Sequence, residues 1–246
     1  MTLQPEPHPS VSLRNTVASW WLVLWLAMAL WPAHAHAQSA PPVFIAQIEI
    51  EWYDDVTLEG EAEDDAQTAD AASALAVFGP FRVIDPFTAE MHGVVDGSTP
   101  AQFVAMRAAF PGITTLRMVE CPGSVDEAAN HVLARMVRAA RIDTLVPQGG
   151  SVRSGAVELF LAGVRRQADS RAEFAVHSWR DEDGREADDF AADHPVHGEY
   201  MDFYREMGIG DDKARIFYAL TSSVSFNDAL YLEPLQLAQL GLLDIL

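Results

Sequence analysis

Short strand-like segments alternate with longer amphipathic ones along the last two thirds of the chain. Four of the short segments are Phe81–Ile84, Ile113–Val119, Asp143–Val146 and Glu173–His177, which have the length of ordinary strands. Apolar positions recur with helical spacing near 100–110, 124–141 and 154–163. Strands that alternate with such helices predict an α/β fold in which the strands pair largely in parallel.

Two of the predicted helices carry start signals. Thr99 precedes Pro100, which suits the first helical position, and Gln102 follows three residues after Thr99. Ser124 and Glu127 have the spacing of a capping box, which predicts a helix from Ser124 to about residue 141. We expect the second helix to bury its apolar positions at helical spacing, namely Ala128, Val132, Met136 and Ala139.

The first 37 residues have the pattern of an export signal. Arg14 is the only basic residue before an apolar run at 17–31, and this run is shorter than the about 20 residues that a membrane-spanning helix needs. Ala35-His36-Ala37 then places small residues at the two positions that a signal peptidase reads. We therefore predict a signal peptide over 1–37 and a periplasmic or secreted bacterial protein that no longer inserts into a membrane. An uncleaved N-terminal anchor is the alternative.

Residues 38–79 form an acidic extension. An alternating pattern at 43–50 predicts an edge strand, and ten acids without one base lie between Glu49 and Asp70. The whole chain has 36 acidic and 16 basic residues, for a net charge of −20, which argues against nucleic acid and anionic membranes as partners. Its single cysteine excludes an internal disulfide and disfavours a cysteine-based zinc site. We expect a solvated extension and a folded domain over 80–246.

Three short segments carry the candidate chemistry. Cys121-Pro122-Gly123-Ser124-Val125 is a strand end whose glycine turns the chain into a helix, so that free amides can hold an oxyanion. Ser154-Gly155-Ala156 begins the next helix with a hydroxyl beside free amides, and His177 ends a later strand. An imidazole there can take a serine proton. Each segment also has a purely structural interpretation, because Ser124 and Ser154 can be helix caps and a lone histidine is often structural.

Taken in order, these segments resemble the proteolytic subunit of the Clp protease and the wider Clp/crotonase superfamily. The resemblance covers roughly residues 80–246 and is carried by Met118–Val125, Ser154–Gly163, Ala172–Trp179 and Tyr231–Asp244. The histidine-serine-tryptophan strand end at His177 is similar to that of exported, periplasmic Clp-like proteins. The resemblance implies a spiral of strand-strand-helix units that commonly assembles into homo-oligomers.

The resemblance also implies a role for each matching position. Ser154 corresponds to the nucleophile and His177 to the general base, and the amides of Ser124 and Gly155 correspond to the oxyanion hole. Ser124 replaces the second glycine of the family pattern. The orienting aspartate aligns with Ala229, and a one-residue shift in register brings in Asp228.

Two other candidate chemistries are weaker. Lys213 is the only lysine of the chain and has two acids beside it, which would raise its pKa and make it a poor partner for a catalytic serine. His194, His197 and Glu199 have a spacing that could bind a metal, but proline after His194 favours a helix start instead. The acid-rich loop 180–193 is predicted to be a solvated insertion beside His177, acting as a lid or selecting cationic substrates.

These observations predict an exported serine hydrolase, in the first place a Clp-like peptidase that acts on peptides or unfolded protein segments. No metal or cofactor is implied. The alternative is a catalytically inactive Clp-like binding or scaffold protein of the periplasm, because fold alone does not fix function.

Overall fold

The computed structural model describes residues 74–244. The predicted signal peptide, the strand at 43–50 and most of the acidic extension lie outside the described residues. No helix among the described residues is long and apolar enough to cross a membrane.

Nine strands and six α-helices alternate along residues 74–244. The strands are β1 Ala76–Phe78, β2 Phe81–Asp85, β3 Thr88–His92, β4 Thr115–Cys121, β5 Asp143–Val146, β6 Ser151–Arg153, β7 Arg166–Ala168, β8 Glu173–Val176 and β9 Leu230–Leu232. The helices are α1 Thr99–Ala109, α2 Glu127–Ala139, α3 Gly155–Leu161, α4 Pro195–Glu206, α5 Asp211–Ser222 and α6 Pro234–Gln239.

The strands form one sheet that branches at the long strand β4. Residues 115–117 of β4 pair in parallel with β5, whereas Glu120 and Cys121 pair in parallel with β6. Each branch continues in parallel, from β5 to β7 and from β6 to β8. The segment β5-β6-α3 therefore adds one strand to each branch and then a helix, and β7 and β8 add the next strand to each branch. The predicted α/β class with a mostly parallel sheet of strand-strand-helix units is confirmed.

Antiparallel strands flank this parallel arrangement at β3 and at β8. β1, β2 and β3 form an antiparallel meander before β3 joins β4, and β9 pairs antiparallel with β8. The core lies between the sheet and the helices, and its largest fully buried side chains include Phe81, Phe160, Phe174, Phe203 and Tyr204. Tyr200, Phe203 and Tyr204 of α4 and Met207, which caps its end, have helical spacing in the sequence and are buried in this core.

Helix α2 differs from its prediction in both its start and its buried face. Asp126, not Ser124, is the N-cap, and its carboxylate accepts a hydrogen bond from the amide of Ala129 at 2.9 Å. The predicted capping box of Ser124 and Glu127 is therefore wrong. The buried positions are Ala129, Asn130, Leu133, Ala134 and Val137, which is one residue away from the predicted stripe at Ala128, Val132, Met136 and Ala139.

Candidate active site

The carboxyl ends of β4, β6 and β8 bring three predicted segments to one edge of the sheet. Cys121 pairs with Val152, and Arg153 pairs with Ala175, so these neighbouring parallel strands end at nearly the same level. Ser124 follows the first strand, Ser154 the second and His177 the third. All three residues line one cavity of about 360 Å³. In open α/β sheets, this edge is where ligands usually bind.

Ser154 has a backbone conformation that a non-glycine residue rarely adopts. Its φ is 53° and its ψ is −134°, a combination outside the regions that L-residues favour. Its amide donates to Ala175 O of β8 at 2.8 Å, and its carbonyl accepts from the amide of Val157 at 2.9 Å. The side chain makes no capping hydrogen bond. The helix-cap interpretation of Ser154 therefore fails, and the hydroxyl stays available inside a sharp strand-to-helix turn.

Gly123 and Gly155 let the two candidate oxyanion turns approach each other. Gly123 has a φ of 129°, and a methyl group on it would lie 2.9 Å from Cβ and 3.3 Å from Oγ of Ser154. A methyl group on Gly155 would lie 2.5 Å from Oγ of Ser124. Within residues 74–244, no protein acceptor takes the amide of Ser124 or of Gly155. Two free amides thus lie close to the Ser154 hydroxyl, as an oxyanion hole requires.

Glu127 does not compete for the Ser124 amide, as a capping box would require. Its Oε1 instead accepts a hydrogen bond from the Tyr200 hydroxyl at 2.7 Å. The Ser124 turn is held on its other side by the segment that follows β3, since Val95 and Ser124 form a parallel β-bridge. The Val95 amide donates to Gly123 O, and the Val125 amide donates to Val95 O.

His177 is held by its own backbone and by an aromatic ring. Its Nδ1 lies 2.8 Å from Ser178 O, and an imidazole nitrogen that faces a carbonyl must carry the proton. This contact leaves Nε2 as the basic nitrogen. The ring also packs edge-on against Phe226, with a centroid distance of 4.8 Å. The structure contains no hydrogen bond between Ser154 Oγ and His177, although both side chains line the cavity.

Asp228 does not occupy the orienting position that the resemblance assigns to it. Val176 pairs with Leu230, so Ala229 lies opposite His177, as the unshifted alignment has it. Asp228 is exposed and does not line the cavity. The group that faces Nδ1 is the Ser178 carbonyl. The prediction that a one-residue shift brings Asp228 to this position is therefore wrong, because the register of β9 against β8 places Ala229 opposite His177.

The cavity has a second set of polar groups that the sequence did not single out. Glu158 lies four residues after Ser154 on α3, and Glu127 begins α2. Aromatic side chains line the rest of the cavity: Trp179, Tyr200, Tyr204, Phe217, Tyr218 and Phe226. The position of Glu158 could have been found from its i+4 spacing to Ser154. The tyrosines could not, since their helical spacing indicates only core packing.

The other candidate groups have structural partners. His194 caps α4 by accepting from the amide of Val196. His197 contacts the Tyr218 hydroxyl at 2.8 Å and Ala191 O at 3.1 Å, which occupies both of its ring nitrogens. Among the described residues, no three His, Cys, Asp or Glu side chains form a group that could hold a metal ion. Lys213 is exposed and donates to Gly241 O.

Cys121 is fully buried at the end of β4. Burial raises the pKa of its thiol, and the neighbouring carboxylate of Glu120 raises it further. The protonated thiol contacts Met91 O at 3.4 Å. A buried, protonated cysteine is a packing residue and not a nucleophile.

No family model and no curated protein matches the chain. Among solved structures, the catalytic domain of the ClpP protease from Plasmodium falciparum is similar, with a TM-score of 0.47 and 10% identity over 77% of this chain and 93% of that chain. A serine-to-alanine mutant of the 1510-N membrane-bound stomatin-specific protease has a TM-score of 0.46 and 12% identity over 65% of this chain and 77% of that chain. A lysine-to-alanine mutant of the same protease, in complex with a substrate peptide, has a TM-score of 0.45 and 13% identity over 65% and 73%. The likeness is one of fold.

Proposed function

We propose that the chain is a serine hydrolase that cleaves peptide bonds through an acyl-enzyme. The observation that carries this proposal is the conformation of Ser154, which holds an uncapped hydroxyl in a strained turn beside two free amides. Such strain costs about 1–3 kcal/mol and persists chiefly at functional sites. A serine that merely starts a helix has no need of it.

The reaction follows from the groups at the edge of the sheet. Ser154 Oγ forms a bond with the substrate carbonyl carbon and gives its proton to His177 Nε2, while the amides of Ser124 and Gly155 receive the developing oxyanion. The C–N bond then breaks, and His177 returns the proton to the leaving amine. Water, deprotonated by the same imidazole, hydrolyses the acyl-enzyme and releases Ser154.

The tautomer of His177 suits a general base. Nδ1–H donates to Ser178 O, so the free Nε2 can act as the base. Neighbouring strands lie about 4.8 Å apart, and Ser154 and His177 follow adjacent strands. A side-chain rotation can therefore bring Oγ and Nε2 into contact, as often happens only when a substrate binds.

Fluorophosphonate labelling tests this function. We expect the folded protein to be labelled on the tryptic peptide that contains Ser154, and we expect Ser154→Ala to remove the label. Ser170→Ala is the matched control, because Ser170 is exposed and outside the cavity. Unfolded casein and short peptides should then be cleaved by the wild-type protein and not by Ser154→Ala.

A non-catalytic binding protein is the second candidate function. It is favoured by the missing hydrogen bond between Ser154 and His177 and by the carbonyl that replaces a carboxylate at Nδ1. This candidate predicts that a folded protein, judged by circular dichroism, takes up no fluorophosphonate and still binds unfolded peptides.

We also propose that the protein is exported and self-associates. Export is supported by the apolar run at 17–31 and the Ala35-His36-Ala37 site, and it predicts that the N-terminal residue of protein from the periplasmic fraction is Gln38. Self-association is supported by the resemblance to ring-forming proteins and by exposed apolar side chains such as Val125, which is 76% exposed. Light scattering during size-exclusion chromatography measures the number of subunits.

A further inference from the structure

The cavity beside Ser154 is lined by charged side chains of both signs. Arg180 is the only arginine or lysine that lines it. The Arg180 guanidinium lies over the Phe226 ring at 3.8 Å, and the same ring packs against His177. Arg180 therefore lies on the same ring as His177. The carboxylates of Glu127 and Glu158 lie on α2 and α3.

Glu158 is placed to meet a side chain whose carbonyl carbon is at Ser154. The two residues are separated by one turn of α3, which is about 5.4 Å along the helix axis, and they share one helix face. The Glu158 side chain is only 15% exposed. Its contacts with Tyr204 Oη at 3.5 Å, Asn130 Nδ2 at 3.5 Å and His131 Nε2 at 3.3 Å are all long. A closer donor therefore has free acceptor capacity to use.

Glu127 adds a second carboxylate with a free oxygen. Its Oε1 accepts from Tyr200, and no partner within residues 74–244 takes Oε2. Burial of the carboxylate raises the pKa of Glu127, the Tyr200 hydrogen bond opposes that rise, and the charge of Glu158 adds to it. The two carboxylates are therefore close enough to repel each other. His131 contacts Glu158 at 3.3 Å and offsets part of this repulsion when it is protonated, and a substrate cation near both carboxylates would offset more of it.

Aromatic rings complete the surroundings of a cation. The Tyr200 ring stacks with Trp179 at 5.6 Å and with Tyr218 at 5.3 Å, measured between ring centroids. Trp179 Nε1 donates to Tyr218 Oη, and all three side chains line the cavity. The faces of aromatic rings attract ammonium and guanidinium groups, and they also cover the carbon stem of a long side chain. Rings combined with carboxylates favour a cationic side chain over a neutral apolar one.

We propose that this cavity is a specificity pocket for a lysine or arginine side chain of the residue that donates its acyl group to Ser154. The inference rests on the proposed hydrolase function. The four-carbon stem of lysine spans about one helical turn, so an ammonium group can reach Glu158 while the carbonyl carbon stays at Ser154. Glu158 and Glu127 receive the cation, and the ring stack of Trp179, Tyr200 and Tyr218 packs along the stem.

The test compares peptides that differ only in the residue before the cleaved bond. We expect kcat/KM for lysine to exceed that for norleucine, which has the same stem without the charge, by at least about tenfold. Glu158→Gln should lower this ratio about tenfold, and because the ratio is taken within one variant, any general change in reactivity cancels. Glu182→Gln is the matched control, since Glu182 is exposed and outside the cavity, and it should leave the ratio unaltered.

Failure of the pocket and failure of the hydrolase are distinguishable. A labelled enzyme that prefers norleucine, or whose lysine preference survives in Glu158→Gln, overturns the pocket and leaves the hydrolase intact. Calorimetry with Ser154→Ala tests the pocket without catalysis. Benzamidine should bind at least about tenfold more tightly than its neutral counterpart benzamide, and Glu158→Gln added to Ser154→Ala should remove the difference. Equal binding of the two compounds contradicts the pocket, whatever the labelling shows.

Discussion

Two non-glycine residues have a positive φ in the described part of the chain, Arg141 at 56° and Ser154 at 53°. Arg141 follows helix α2, where its amide donates to Arg138 O and the next amide, that of Ile142, donates to Val137 O. These two hydrogen bonds form the Schellman motif, which ends many helices and needs a left-handed residue at this position. The conformation of Arg141 thus has a complete structural reason.

Ser154 has no such reason. It precedes a helix instead of following one, its ψ of −134° lies outside the left-handed helical region, and its side chain makes no cap. What surrounds Ser154 is a cavity, a basic imidazole nitrogen and two free amides. A positive φ therefore ends a helix at Arg141 and marks a candidate nucleophile at Ser154. The hydrogen bonds around each residue distinguish the two cases.

The largest expected effect comes from replacing Ser154 by glycine. Fluorophosphonate labelling and peptide cleavage should fall by at least about 10⁴-fold, because the attacking oxygen is gone. The free energy of unfolding should rise by about 1 kcal/mol, since glycine accepts the conformation without strain. Urea unfolding and labelling measure both quantities.

Ser154→Ala is the control for that experiment. It removes the hydroxyl and keeps the side-chain carbon, so activity should be lost with no gain in stability. If Ser154→Gly proves no more stable than Ser154→Ala, the strain assigned to Ser154 is absent.

Gly123→Ala should have the next largest effect. A methyl group there would lie 2.9 Å from Cβ of Ser154 at a φ of 129°, so it must displace the serine. We expect the labelling rate to fall about 100-fold, because catalysis is sensitive to shifts of this size. Gly149→Ala is the matched control, with a φ of 72° and nothing within 4 Å of the added methyl. Its cost should be about 1 kcal/mol of stability with labelling retained; similar labelling losses in the two variants would count against the Gly123 contact.

Asn130→Ala should weaken the support of the Ser154 turn from below. Asn130 is fully buried on α2, and its amide donates to Gly155 O at 2.8 Å. We expect the loss of this hydrogen bond to cost about 1 kcal/mol in urea unfolding. The labelling rate should fall about tenfold if the amide of Gly155 belongs to the proposed oxyanion hole. Unchanged labelling would show that the turn keeps its geometry without Asn130.

Arg141→Gly should change stability alone. Glycine is the preferred residue at this position of a Schellman motif, so the free energy of unfolding should rise by about 0.5–1 kcal/mol. Labelling should stay at the wild-type rate, because Arg141 lies outside the cavity. A changed labelling rate in Arg141→Gly would contradict the purely structural role of Arg141.

The smallest expected effect is a pH dependence of stability that arises from His131 on α2, which contacts Glu158 on α3. Burial lowers the pKa of His131, but the contact with Glu158 at 3.3 Å and the charge of Glu127 together outweigh burial and raise the pKa above its ordinary value of 6.5. A raised pKa stabilises the fold below pH 6.5, and this contribution is lost as the pH rises through the folded-state value. The stability difference between the wild type and His131→Gln should therefore be larger at pH 5.5 than at pH 8.5 in urea unfolding. A difference that is constant with pH would contradict the contact with Glu158.

The sequence predicts the order of strands and helices well, because each main strand is bounded by turn residues. β5 is found at its predicted bounds, Asp143–Val146. Prediction from the sequence fails where elements are short, since β6 and β7 have only three residues each, which is too few to show a hydrophobic period. It also fails on the buried face of α2, where alanines occur on both sides of the helix and only tertiary packing selects Leu133 over Val132.

The candidate site divides in the same way. The motif order alone placed Ser124, Ser154, Gly155 and His177, and all four line one cavity. The positive φ of Ser154 could not be predicted, because no glycine marks it. Contacts between distant segments were equally inaccessible, such as the Tyr200 hydroxyl on Glu127, because they depend on how α4 packs against α2.

Ser178 joins His177 to the acid-rich insertion at 180–193. Its carbonyl holds the imidazole at Nδ1, and its buried hydroxyl accepts the amide of Ala187. Glu186, in the same insertion, accepts a hydrogen bond from the amide of Phe226, whose ring packs against His177. Shortening this insertion would therefore remove the hydrogen bonds that hold Ser178 and Phe226, the two residues that contact the imidazole. The insertion thus helps to fix the position of the proposed general base.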